Sequence, residues 1–313
     1  MKKIIYIILS LNLFFVACSD DGNIIDEGSQ DNKIELSFKV DNFIQGVLKS
    51  TSLGSSDEQT VENLYLFLFP TTGSQALIKY YISSPVFTGG SWSDLDRKVL
   101  LNLTQVEAGN REVYIVANCS DIKTNLDAVT TISGLQSVLR TTVQPWSASI
   151  TTPILMSGNR THNFNSNRQL DNVLLIRTVA KVQLNIKLAA EHQEIPIINS
   201  IAQYNYKFID FDRNTYVLKQ SAKPDDLVSS LDWQAWEAVG DISSYVLNNG
   251  KVRTLSITTY LNERDNTGSI IELKIPYLGS GPLPPPEFGD EIYKLSLPAK
   301  IERNHWYIYD IEI

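Results

Sequence analysis

The chain has 313 residues, of which 43% are hydrophobic and 10% aromatic, enough apolar material for two packed domains of ordinary size or one large β-domain. Its formal charge is -8; an acidic balance repels phosphate backbones, and no cluster of Lys and Arg interleaved with aromatics offsets it, so nucleic acid is excluded as a partner. Of two cysteines in all, Cys18 would lose its thiol to lipidation at the end of an N-terminal leader, which leaves Cys119 as the only thiol, makes an intrachain disulfide impossible and leaves packing to hold the fold.

Lys2 and Lys3 precede an apolar run from Ile4 to Val16, interrupted only by Tyr6, Ser10 and Asn12. Too short to span a bilayer comfortably, it reads as a signal peptide over residues 1–18. Its end, Phe15-Val16-Ala17-Cys18, resembles the lipobox of bacterial lipoproteins, which implies that Cys18 is lipidated and becomes the first residue of the mature chain. Each buried methylene of an acyl chain contributes about 0.8 kcal/mol, so a multiply acylated cysteine holds a domain on a membrane without a spanning helix. Ser19-Asp20-Asp21 comes directly after, an acidic pair that resembles the surface-export signal of Bacteroidota lipoproteins. Cleavage removes two lysines and no acid, making the mature chain still more acidic.

Residues 19–32 are polar and acidic and read as a flexible tether. Ile34, Leu36, Phe38 and Val40 then alternate with Glu35, Ser37 and Lys39, the period-two pattern of a strand buried on one face. Gly46 to Thr60, rich in Ser, Thr and Gly, reads as an unusually long loop. Leu64 to Phe69 has no strongly polar member and stops at Pro70, which suits a central strand covered on both faces. Val99 to Leu103 and Val113 to Ala117 add two strands, with Gly109-Asn110 as a turn. Cys119, just past the second of these, reads as a small buried side chain rather than a reactive thiol. Between Asp121 and Thr141, Ile122, Leu126 and Val129, then Leu135, Val138 and Leu139, fall at helical spacings and predict one or two short helices. Pro145, Pro153 and the polar run Thr161 to Asn167 mark an exit from the first domain.

A second domain opens on the cleanest alternation in the chain. Ile176, Thr178, Ala180, Val182, Leu184, Ile186 and Leu188 share one face, and Arg177, Lys181, Gln183, Asn185 and Lys187 the other. Further strands fall at Ile197 to Phe211, Lys251 to Leu261, Ile270 to Ile275, Glu291 to Leu297 and Trp306 to Ile313. Turn residues at Asn248-Asn249-Gly250, Asn266-Thr267-Gly268 and Pro282 to Pro286 separate them. The fold class is therefore all-β, two tandem antiparallel sandwiches over residues 33–168 and 169–313.

Five fragments occur in order: Thr60-Val61-Glu62-Asn63-Leu64-Tyr65-Leu66-Phe67-Leu68-Phe69, Val113-Tyr114-Ile115-Val116-Ala117-Asn118, Arg177-Thr178-Val179-Ala180-Lys181-Val182, Tyr260-Leu261-Asn262-Glu263-Arg264 and Arg303-Asn304-His305-Trp306-Tyr307. Together with the lipobox they resemble the fimbrillins, subunits of Bacteroidota fimbriae. The resemblance implies transthyretin-like β-sandwiches, export as a lipoprotein to the outer membrane, and assembly with other fimbrial subunits by strand exchange. In stalk subunits of that family a protease cuts the loop behind the first strand and removes it with the lipid. A missing strand leaves an apolar groove and an unpaired sheet edge, which an incoming strand fills. The matching position here is Lys49-Ser50, with no arginine before Arg97, and the chain stops inside the strand after Arg303-Asn304. Both departures point to a lipid-retaining anchor or minor subunit rather than a repeating stalk unit, so the mature protein is expected to begin at Cys18 and to stay uncut at Lys49.

His162, His192 and His305 lack metal-type partners at close spacing and read as surface histidines. No Gly-rich phosphate loop, nucleophile elbow or paired-cysteine motif occurs, so neither cofactor nor catalysis is expected. Trp233, Trp236 and Tyr245 are candidates for a stacking platform under a sugar ring, which would make the chain a stand-alone adhesin or a lipoprotein binding a host glycan or protein.

Overall fold

The computed structural model describes residues 33–46, 50–72, 75–146, 150, 152–265, 268–278 and 288–313. Strands dominate, and the helices among these residues are short. In the first half, nine strands form one sheet in the order Ile78–Ile82, Leu64–Pro70, Asn110–Ala117, Met156–Asn163, Gln169–Arg177, Ile34–Val40, Lys98–Leu101, Gly90–Ser93 and Val86–Phe87. The sheet folds over on itself where only Met156 and Ser157 pair with Arg177 and Ile176. Leu64, Leu66, Leu68, Val113 and Ile115 on one side thereby meet Ile34, Leu36, Phe38, Val99, Leu101 and Leu175 on the other in a single buried core.

Leu64 to Phe69 is covered on both faces, as its composition predicts. While its leucines face that core, Tyr65, Phe67 and Phe69 stack along the opposite face, with ring centroids 4.5 and 5.7 Å apart. The helices Lys123–Asp127 and Ile132–Gln136 pack Leu126 and Leu135 onto this aromatic strip, with Ile122, Val129 and Val138 beside them. Cys119 is buried in the same layer, where desolvation pushes its thiol up to about 12, a protonated and unreactive state.

The second half pairs a six-stranded sheet with a four-stranded one. Val179–Lys187 lies between Lys251–Asn262 and the last strand, His305–Glu312. Facing it, Asn205–Ile209, Ile270–Leu278 and Phe288–Ser296 form most of the smaller sheet, and Val182, Leu184, Ile257, Phe208, Ile271 and Leu273 interdigitate between the layers. Pairing is mainly antiparallel, with three parallel exceptions among the described residues: Ile34–Val40 on Gln169–Arg177, Val179–Lys187 on His305–Glu312, and Phe43–Gln45 on His305–Glu312.

Several boundaries differ from the sequence reading, and Ile197 to Phe211, expected as one strand, is broken into Ile197–Ile198, Ile201–Ala202, Asn205–Ile209 and Phe211–Asp212. The alternating run from Ile176 to Leu188 is two strands broken at Thr178, whose backbone N–H and Oγ1 both donate to Leu155 O, at 3.0 and 3.2 Å. Gln169–Arg177 pairs inside the first sheet and gives it Leu170, Val173 and Leu175, so the first sandwich runs on through Arg177 instead of stopping at residue 168. The described part of the Gly46 to Thr60 stretch is also more than a loop. Phe43–Gln45 and Ser50–Ser52 form a hairpin that extends the six-stranded sheet of the second half, and a 3-10 turn at Asp57–Gln59 comes after it. Further crossings tie the halves together: Leu139–Thr141 pairs with Asn214–Tyr216, Trp146 sits in the second core, and Val217 sits in the helix layer of the first.

Candidate strand-exchange site

The first strand is central in its sheet. Ile34 to Ser37 pair antiparallel with Leu101 to Lys98, and Glu35 to Val40 pair in parallel with Gln169 to Leu175 across a bulge between Leu36 and Phe38. Backbone bonds Phe38 N to Arg97 O (3.0 Å) and Asp41 N to Leu175 O (2.9 Å) close its far end. Ile34, Leu36 and Phe38 are buried, each contributing roughly 1.5 to 3 kcal/mol. Val40, the fourth apolar position, is only half-buried. On the outer face Glu35 pairs with Lys98 at 2.8 Å, and Ser37 Oγ accepts from Asn172 N at 2.9 Å. Withdrawal of this strand would leave two unpaired sheet edges flanking an apolar slot lined by Val99, Leu101, Val173 and Leu175.

The segment behind the strand is fastened by a buried polar cluster. Arg177 is fully buried, and its guanidinium donates to four acceptors: Asp41 O (2.6 Å), Glu58 O (3.0 Å), Leu53 O (3.2 Å) and Asn304 Oδ1 (2.9 Å). The group lies over the Phe43 ring, 4.1 Å from its centroid. Asn304, in the left-handed region at φ 60, donates through Nδ2 to Asn42 O at 2.7 Å. One arginine thus grips the chain both before and after residues 47–49.

Glu58 supplies the counter-charge. Its carboxylate is buried against Lys181 Nζ at 2.9 Å, accepts the Tyr260 hydroxyl, and accepts Ser55 N at 2.6 Å. Burial alone would raise its pKa, yet these hydrogen bonds outweigh it and hold the carboxyl below the ordinary glutamate value. Tyr260 is pushed the opposite way, by desolvation first and then by the adjacent carboxylate. Lys181 Nζ also rests 4.2 Å from the Trp306 ring centroid. Gly54, at φ +76, lets the backbone pass where an added Cβ would come within 2.5 Å of Glu58 Oε2 and 3.0 Å of the Phe43 ring.

The alternation pattern assigned Arg177 and Lys181 to a solvent face; the hairpin and turn spanning residues 43–59 cover that face, so both are largely shielded. Arg177, Lys181, Tyr260, Asn304 and Trp306 all belong to the five fragments that carry the family resemblance, and that shared membership was the available pointer to the cluster. Glu58, in a Ser-rich stretch, offered none. Ser50 is exposed at the start of the return strand, whereas Cys18 and Lys49 lie outside the described residues, as do Asn266, Thr267 and Pro282 to Pro286.

The stacking platform is not assembled. Trp236 is a core residue, its Nε1 donating to Ser256 O at 2.9 Å and its ring 4.9 Å from Tyr206. Tyr245 packs against the same core, and among the described residues no ring contact joins half-buried Trp233 to either. His192 is likewise buried rather than on the surface, its Nδ1 3.1 Å from Pro276 O and its ring between Tyr277 and Tyr293. Among the described residues no group of His, Cys, Asp and Glu could hold a metal ion.

The minor fimbrium tip subunit MfA4 of Porphyromonas gingivalis is 46% identical to this chain, with all of both chains covered. The chain belongs to the MfA4 family. The family's C-terminal model, described as "Minor fimbrium tip subunit MfA4, C-terminal", matches residues 178–312, beginning at the Thr178 break between the two sandwiches. Two solved structures share the fold: a candidate cell adhesion protein of Parabacteroides distasonis (TM-score 0.57, 14% identity, 89% of this chain and 88% of that one) and another of Bacteroides eggerthii (TM-score 0.54, 15% identity, 90% and 86%).

Proposed function

We propose that the chain is a non-enzymatic, structural minor subunit of a surface fimbrium, exported as a lipoprotein through Cys18 and joined to neighbouring subunits by strand exchange at the slot held by Ile34–Val40. The observation that carries this reading is the first strand itself: a central strand with its apolar face buried, followed by a hairpin whose return strand begins at exposed Ser50. Of the two roles open to the sequence, anchor or minor subunit, the relative named a tip subunit favours the second. On this reading, and against the expectation drawn from the missing arginine, cleavage between Lys49 and Ser50 frees the first strand and the lipid, and the exposed edges of Lys98–Leu101 and Gln169–Arg177 accept a strand from another subunit.

The N-terminus of the protein in assembled native fimbriae tests this. Ser50 is expected, with Cys18 absent and other fimbrial subunits recovered alongside. An N-terminus at lipidated Cys18 would mean that the slot stays filled, and would return the chain to the membrane-held role that the missing arginine suggests.

A further inference from the structure

A second buried charged pair lies apart from the exchange site. Asp212 ends the short strand Phe211–Asp212, and Lys223 sits in the connection leading to Leu227–Val228. Their side chains are 0% and 1% exposed, and Nζ is 3.1 Å from Oδ2. Among the described residues nothing else neutralises them at contact distance. Nζ donates to the main-chain Glu263 O at 2.6 Å, Oδ1 accepts Asn214 N at 2.8 Å, and the Glu263 carboxylate is taken by Arg303 Nε at 2.7 Å. Among the described residues, Oδ2 has no partner but the amine that faces it at contact distance.

A pair of full charges in this place carries a heavy desolvation cost. Passing one proton from the ammonium to the carboxylate removes both charges, and burial drives each group that way, raising Asp212 and lowering Lys223. Such a transfer would leave an unprotonated amine facing a carboxylic acid at contact distance, which is the reactant state for amide formation. Fixed approach of two such groups substitutes for the high concentration the reaction would otherwise need.

We propose that Lys223 Nζ and Asp212 Cγ are joined by an intramolecular isopeptide bond, formed spontaneously once the second sandwich has folded. The amine lone pair adds to Cγ, a nitrogen proton moves to the departing carboxyl oxygen, the Cγ–O bond breaks and one water leaves. Amine and acid become amide and water with no redox change and no co-reactant. The bond closes a covalent loop around Asn214–Tyr216, the strand that pairs with Leu139–Thr141 of the first half. It therefore staples one of the crossings between the sandwiches.

Intact-mass measurement on the full chain, purified folded and then denatured, reads the bond directly. The expected mass is lower than that of the processed sequence by one water, and peptide mapping places the loss in a branched peptide holding both Asp212 and Lys223. Lys223→Met restores the full mass; should that variant fail to fold, the wild-type mass and peptide map decide alone. A deficit traced to these two residues in any fraction of the folded chains supports the bond. Full mass throughout, or a lost water mapped elsewhere, overturns it.

Discussion

The two sandwiches share a plan and differ in how firmly it is executed. In each, the opening strand lies between an antiparallel neighbour and a parallel one that closes the same half: Ile34–Val40 between Lys98–Leu101 and Gln169–Arg177, Val179–Lys187 between Lys251–Asn262 and His305–Glu312. The second opening strand is paired with Lys251–Asn262 from Val179 to Lys187 without a bulge, and it leaves Thr178 pinned behind it. The first is paired with Lys98–Leu101 only from Ile34 to Ser37, is bulged on its other side, and is fastened beyond Val40 by polar contacts instead of further ladder. One opening strand is held by an unbroken ladder and the other leans on a polar fastening at its end, and that fastening is where the difference can be broken.

The largest expected effect is that of Arg177→Ala. It strips the buried donors from Asp41, Leu53 and Glu58 carbonyls and leaves Glu58 with Lys181 as its one cation, which should cost about 3 to 5 kcal/mol, the range for breaking a buried charged cluster. Denaturant unfolding should register the loss, and hydrogen exchange should show Ile34–Val40 exposed ahead of Val179–Lys187; equal exposure of both strands would remove the contrast. Gly54→Ala comes next at about 1 to 3 kcal/mol, because it places a side chain at positive φ against Glu58 and Phe43. Thermal unfolding of the variant reads it, and an unchanged midpoint would show that the turn relaxes freely.

The pH dependence is subtler. Glu58 is held below its ordinary 4.5 when folded, so its contribution is present above that value and fades as the pH falls through the lower folded pKa. Glu58→Gln should flatten this part of the acid-unfolding curve relative to wild type, and curves of the same slope would deny Glu58 the role. Smallest of all is Lys187→Ala, which removes an exposed pair with Glu312 at the end of the second opening strand. It should leave stability nearly unchanged, because solvent screens an exposed pair, and a clear loss by chemical denaturation would mean that the second sandwich also depends on its polar fastenings.

Much of the fold was legible because burial on one face imposes a period of two. Ile34 to Val40 and Leu64 to Phe69 are strands where composition places them, and the helical spacing of Leu126 and Leu135 appears as the layer over Phe67. The break at Thr178 was hidden because the alternation continues through it, although Ile176 is turned outward and Arg177 is buried. Parallel pairing was equally hidden, since side-chain alternation says nothing of a neighbour's direction. Within the candidate site the strand could be read and its fastening could not. A Ser-rich run with one glutamate looks like loop until a lysine and a tyrosine from distant strands close on that carboxylate, and Trp236 looks like a sugar platform until Tyr206 and Ser256 enclose it.

The hairpin at Phe43–Gln45 also sets a timetable. Its partner strand is the last in the chain, and Ile44 must wait for His305. A chain emerging from a translocation channel with its N-terminal side first therefore carries Phe43 without its Trp306 contact until the second half has followed. Completion of the second sandwich and seating of the segment behind the first strand become one late event. A chaperone that shields apolar segments in transit would be needed longest by residues near the beginning of the chain.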